Sequence, residues 1–137
     1  MNMNLRTIFE YMTKRKASDL HLKVGSNPAM RVDGEIVYFS KEKLLPPHME
    51  AIAKSLLDEK SYQKLQEERE LDFAFGVPGI GRFRANCYYQ RSSISVVLRR
   101  IPFEVPSLDS LGLPPVVKQL AEKKRGLVLC TGITGSG

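Results

Sequence analysis

Across residues 82–90 polar and apolar side chains alternate without a break. Phe83, Ala85, Cys87 and Tyr89 fall on one side of an extended chain, and Arg82, Arg84, Asn86 and Tyr88 on the other. No helix has a period of two, so this stretch commits the chain to a β-sheet that buries one face and leaves the other polar. Burial on one side alone is typical of antiparallel sheets. After a turn at Arg91-Ser92-Ser93, residues 94–100 return as the hairpin partner. Arginines 82, 84, 99 and 100 therefore collect on one pair of strands.

The same period recurs upstream. Leu20, Leu22 and Val24 alternate with Asp19, His21 and Lys23. Asp33-Gly34, between strand patterns at 30–32 and 35–39, predicts a type I′ hairpin. Leu71, Phe73 and Phe75 share one side of a further strand, which ends in a glycine-rich turn over 76–81. Helical spacing replaces period two in three places. Leu5, Ile8, Phe9 and Met12 make one short amphipathic helix, closed by Lys14-Arg15-Lys16. Pro46-Pro47 opens a second, with Met49, Ile52, Ala53, Leu56 and Leu57 on one face, and a third follows with Tyr62 and Leu65 inward. The last two are predicted to cover one face of the sheet. The fold class expected for residues 1–100 is α+β, an antiparallel sheet with helices on one face. Pro102 and Pro106 mark 101–107 as an extended linker, and a new unit starts at 108.

That unit opens with a predicted helix, begun at Pro114-Pro115 and ended near Gly126, with Leu113, Val116, Val117, Leu120 and Ala121 on one face. Leu127, Val128, Leu129 and Cys130 then form a short apolar run, read as a buried strand, which breaks into Thr131-Gly132-Ile133-Thr134-Gly135-Ser136-Gly137. A flexible Gly/Ser tail would match the glycine spacing by itself; the apolar run before it points to a phosphate-binding P-loop. There, successive backbone N–H groups wrap the phosphates where a Cβ would obstruct them. In that motif the next two residues are a lysine that reaches the β and γ phosphates and a hydroxyl that holds Mg²⁺. We therefore expect a nucleotide site, broken off at the last residue, with Gly132, Ile133, Thr134, Gly135, Ser136 and Gly137 as its backbone donors. Without the helix that follows a P-loop, this stretch is expected not to hold its shape.

The 21 basic and 15 acidic residues give a formal charge of +6, which admits nucleic acid or an acidic membrane surface as partners. The charges are dispersed, however, and the runs at 14–16 and 123–125 close predicted helices. No apolar stretch approaches a membrane span or the core of a signal peptide, so the expected location is cytoplasmic. Cys87 and Cys130 have no metal-ligand spacing and are expected to be buried free thiols.

Several of these stretches, taken together, resemble one family. Ser18-Asp19-Leu20-His21-Leu22, Arg31-Val32-Asp33-Gly34, Leu71-Asp72-Phe73, Gly81-Arg82-Phe83-Arg84-Ala85-Asn86, Gln90-Arg91 and the run from Gly126 to Gly137 occur in the order and spacing of the type IV pilus retraction ATPases, the PilT type within the type II and type IV secretion ATPases. The likeness extends from the first helix to the final residue. Ile133 departs from the proline often found there and leaves the glycine framework intact. The resemblance implies a PAS-like N-terminal domain, a linker, and the first helix and strand of a RecA-like ATPase domain. It implies a homohexameric motor at the cytoplasmic face of the inner membrane that works with pilus-platform proteins and uses ATP and Mg²⁺ to depolymerise a pilus. Relatives that power pilus assembly or type II secretion carry an additional N-terminal module. The Ser-Asp-Leu-His-Leu stretch begins here within twenty residues of Met1, which favours the retraction type.

The resemblance also implies that Arg84 and Arg99 reach nucleotide phosphates, with Arg82 and Arg100 as neighbours. Chemistry gives an independent reason, because a guanidinium fork grips two phosphate oxygens at once. No catalytic residue and no metal ligand is expected within these residues, so the chain alone is expected to bind no cofactor and to turn over no ATP. Asp19 and His21 read as structural or interfacial. Two other readings stand beside this one. A nucleic-acid-binding module would use Arg82, Arg84 and Arg91 with Tyr88 as a stacking platform. A ligand-sensing domain would need an enclosed apolar pocket.

Overall fold

A computed structural model describes residues 4–102 and 107–132, and the chain falls into two compact units, residues 1–103 and 104–137. The first unit begins with α1 (Leu5–Lys14), capped by the Asn4 side chain, which accepts from the Arg6 amide at 3.0 Å. Strands β1 (Asp19–Lys23), β2 (Ala29–Val32) and β3 (Glu35–Tyr38) follow as a meander. Asp33 and Gly34 turn the β2–β3 hairpin with φ of 49° and 86°, the left-handed pair that a type I′ turn requires. Then come α2 (Pro46–Leu56), with prolines in its first turn, and α3 (Glu59–Glu68), capped by Asp58 accepting from the Ser61 amide at 2.8 Å. A second meander closes the unit: β4 (Glu70–Val77), β5 (Gly81–Gln90) and β6 (Ser93–Ile101).

The named strands all pair antiparallel, and the six lie in the order β3-β2-β1-β6-β5-β4. The first and last strands thus meet at the centre and join the two meanders into one sheet. The central pairing aligns Asp19 with Arg99 and Leu20 with Leu98, although some eighty residues separate them in sequence.

The alternation read from the sequence selects the face that is covered. Ile8, Phe9 and Met12 of α1, Met49, Ile52 and Ala53 of α2, and Tyr62 and Leu65 of α3 share one core with Leu20, Leu22, Met30, Phe83, Ala85, Cys87, Val96 and Leu98 of the sheet. All three helices cover the same face. Phe9 and Phe83 pack with ring centroids 4.6 Å apart, and Phe75 lies 5.4 Å from Phe83. Cys87 sits in this core, and burial pushes its thiol pKa up to about 12. The opposite face of the sheet carries the polar set and no helix of this unit.

In the second unit a 3₁₀ turn (Leu108–Leu111) precedes α4 (Val116–Ala121). The helix expected to run to near Gly126 thus ends five residues earlier. Leu127, Val128 and Leu129 form no strand and are exposed at 83%, 54% and 75%, and Cys130 is exposed as well. The buried strand and the buried second thiol expected there are corrected by this. An apolar run becomes a strand only where a neighbouring strand supplies hydrogen bonds and cover, and none pairs with it among the described residues. Residues 103–106 of the expected linker lie outside the described residues.

Candidate functional site

The uncovered face of the sheet gathers arginines by register. Arg31 on β2 stands opposite Asp19 on β1, Asp19 opposite Arg99 on β6, and Arg99 opposite Arg84 on β5. One row across four strands therefore holds three guanidinium groups and one carboxylate. Arg82, also exposed, lies two residues from Arg84 on the same face of β5. Arg100 leaves the group: neighbouring residues of a strand face opposite ways, and its Nε donates to the Ala17 carbonyl at 3.2 Å.

Asp19 organises the row. Although it lies on the polar face it is only 6% exposed. Its Oδ1 accepts from Arg99 Nε at 2.9 Å, its Oδ2 accepts from the Ser18 hydroxyl at 2.8 Å, and Arg31 Nε lies 3.7 Å from Oδ2. Burial works to raise the carboxyl pKa, but the hydrogen bonds from Arg99 and Ser18 and the Arg99 charge outweigh it and hold it below the usual value. Asp19 is thus an ionised anchor. Arg31 is fixed from its other end, where Nη1 donates to the Gly34 carbonyl at 2.7 Å in the β2–β3 turn. Arg84 has no ion pair among the described residues.

One carboxylate cannot balance three guanidinium groups, and Arg84 and Arg99 face each other directly across two strands. Like charges at opposed cross-strand positions destabilise a sheet. A row of this kind fits an anion that accepts from both forks. His21 follows Asp19 on the same face, and its Nε2 is buried without a hydrogen-bond partner among the described residues. Burial lowers its pKa, Arg31 adds to this and Asp19 opposes it, so the ring is held toward the neutral form.

Of the residues singled out from sequence, Arg84 and Arg99 are thus brought together as in-register neighbours. Gly132 is exposed in the second unit, while Ile133, Thr134, Gly135, Ser136 and Gly137 lie outside the described residues. Asp19 has a larger part than the sequence reading assigned to it, and Arg31 was not singled out as a site residue. Their charges were visible, but the signal that joins them is strand register, which no local pattern contains. Among the described residues no cluster of His, Cys, Asp and Glu could hold a metal ion, and no helix is long and apolar enough to cross a membrane.

Comparison with known proteins relates the chain to pilus ATPases. The chain is 37% identical over 135 residues to the type IV pilus retraction ATPase PilT of Pseudomonas aeruginosa, with 98% of the chain and 39% of the relative covered. It is 36% identical over 135 residues to the type IV pilus ATPase PilU of the same organism, covering 98% of the chain and 35% of the relative. The chain is a homologue of the PilT and PilU pilus ATPases. A crystal structure of the pilus retraction motor PilT with bound ADP superimposes with a TM-score of 0.82 at 44% identity, over 99% of this chain and 40% of that one. The six-stranded antiparallel sheet with its helices matches the N-terminal domain of such ATPases. The chain spans 35% to 39% of the length of these two curated relatives. No family model matches it.

Proposed function

We propose that the chain is the N-terminal region of a type IV pilus ATPase of the retraction type and that its open sheet face meets the phosphates of ATP. The observation that carries this reading is the opposed pair Arg84 and Arg99, of which only Arg99 has a carboxylate partner among the described residues. In this role the two guanidinium forks donate to γ-phosphate oxygens and stabilise the charge that develops there as the terminal bond breaks. Asp19 orients Arg99 through its Nε and leaves the two terminal nitrogens of that guanidinium to the phosphate. Gly132 to Gly137 donate backbone N–H groups to nucleotide phosphate in the complete protein, and Mg²⁺ is bound together with ATP. The whole protein works as a cytoplasmic homohexamer at the inner membrane, where it acts with pilus-platform proteins to depolymerise a pilus. Identities of 37% to a retraction ATPase and 36% to PilU support the pilus motor class. These two values do not separate the two kinds, and the retraction type rests on the motif order from residue 18 onward.

The test is ATP turnover by a protein in which this chain continues through a complete P-loop domain. Arg84→Ala and Arg99→Ala are each expected to lower turnover about 10²-fold or more, the usual effect of removing one donor to developing charge. Turnover indifferent to both substitutions would remove the arginines from the mechanism. Salt-sensitive binding of single-stranded DNA that Arg84→Ala abolishes, in a protein that hydrolyses no ATP, would replace the motor reading with a nucleic-acid module.

A further inference from the structure

The open face of the sheet has a second basic end. Four residues before Arg99 on β6, about 13 Å away at the rise of a strand, Ser95 stands between Lys23 of β1 and Tyr88 of β5. Lys23, Val24, Gln90, Arg91, Ser93 and Ser95 line a cleft here of about 360 Å³. Both charged side chains on its wall are cations. None of the ion pairs among the described residues engages either one. Ser95 is 3% exposed, so this polar side chain is built into the cleft wall and does not trail into solvent. An ammonium, a guanidinium, two hydroxyls and an amide can all donate here, and among the described residues no carboxylate lines the cleft.

Arg91 is held at the cleft by an unusual turn. Gln90 pairs with Ser93, so Arg91 and Ser92 are the two residues of a tight hairpin, at φ of 48° and 64°. Asn-Gly is the preferred occupant of such a turn. Two residues with full side chains in left-handed backbone cost conformational energy, and the local rule is broken where a cation meets a polar cleft.

We propose that this cleft binds a phosphate group, either as inorganic phosphate or as a small phosphate monoester. Two cations match a dianion, and tetrahedral phosphate oxygens can accept from more donors at once than a carboxylate can. The cleft is distinct from the arginine row, because the cross-strand row of His21, Val97 and Asn86 lies between them. It therefore does not depend on the nucleotide reading of Arg84 and Arg99.

Inorganic phosphate, glycerol 3-phosphate and acetate are titrated into the 137-residue chain at ionic strength held constant with chloride, while backbone amide shifts are followed by NMR. Saturable phosphate shifts at Lys23 and at residues 91–95 are expected, with acetate binding more weakly. Lys23→Ala and Arg91→Ala each weaken binding roughly ten-fold, and Arg84→Ala leaves it unchanged. Arg91→Asn, which suits the turn conformation, separates loss of the cation from loss of the hairpin and is expected to bind as weakly as Arg91→Ala. Tighter binding of the monoester assigns the rest of the cleft to its organic part, and equal binding assigns the site to phosphate alone. Shifts that never saturate, that acetate reproduces, that Arg84→Ala abolishes, or that survive both Lys23→Ala and Arg91→Ala overturn the proposal.

Discussion

Asp19 shows how one side chain changes meaning with its surroundings. On the polar side of a strand it reads as a solvated charge, yet it is 6% exposed and holds Arg99 at 2.9 Å. Its pKa is lower in the folded chain than in the unfolded one, so its contribution to stability is fully present above the unfolded value near pH 4 and is lost as pH falls through the folded value. Asp19→Asn is expected to destabilise the domain by about 1–3 kcal/mol at pH 6.5, the lower part of that range following from the 72% exposure of the Arg99 side chain. Urea unfolding at pH 6.5 and pH 3 checks this. The gap between native chain and variant should narrow at pH 3, and a gap independent of pH would mean that the carboxylate charge is not what matters. His21 acts in a neighbouring window. Its lowered pKa gives stability that is present above about pH 6.5 and is lost as pH falls. The comparison for Asp19 is therefore the difference between variant and native chain at each pH.

At the scale of the element, the two tight hairpins differ in how they are written. Asp33-Gly34 uses residues suited to left-handed backbone, and its turn was legible. Arg91-Ser92 adopts the same kind of conformation with residues that are not suited to it, and the sequence suggested a longer turn that included Ser93. Replacing Arg91-Ser92 with Asn-Gly is expected to stabilise the domain by about 0.5–1 kcal/mol as strain is relieved. A thermal melt reads this as a rise of a few degrees in Tm. A fall in Tm would show that Arg91 or Ser92 makes contacts worth more than the strain. The amphipathic helices were legible throughout the first unit, because Ile8, Phe9, Met12, Tyr62 and Leu65 all face the core that their spacing anticipated. The strand expected at 127–130 was not realised, since a fully apolar run states that it wants cover without stating what will cover it.

For the whole molecule, all the residues of the core cluster lie between Ile8 and Leu98, and no residue of the second unit is buried among those described. A chain of residues 1–102 is accordingly expected to unfold in one cooperative transition, with a Tm close to that of the 137-residue chain. Near-UV circular dichroism, which reports the packed Phe and Tyr side chains, should be retained; a broad transition without that signal would show that residues 103–137 are needed for the fold. Sequence alone determined which residues of the first unit face inward, where the hairpin at Asp33-Gly34 turns, and that arginines gather on the last two strands. It could do so because period two, helical period and turn chemistry are local properties of neighbouring residues. The tertiary structure alone decided that β1 and β6 meet at the centre of the sheet, that Arg31, Asp19, Arg99 and Arg84 stand in one row, and that Lys23 and Arg91 share a cleft. Register between strands eighty residues apart is set by the fit of the helix-covered core, so the site on the open face is placed by packing on the other.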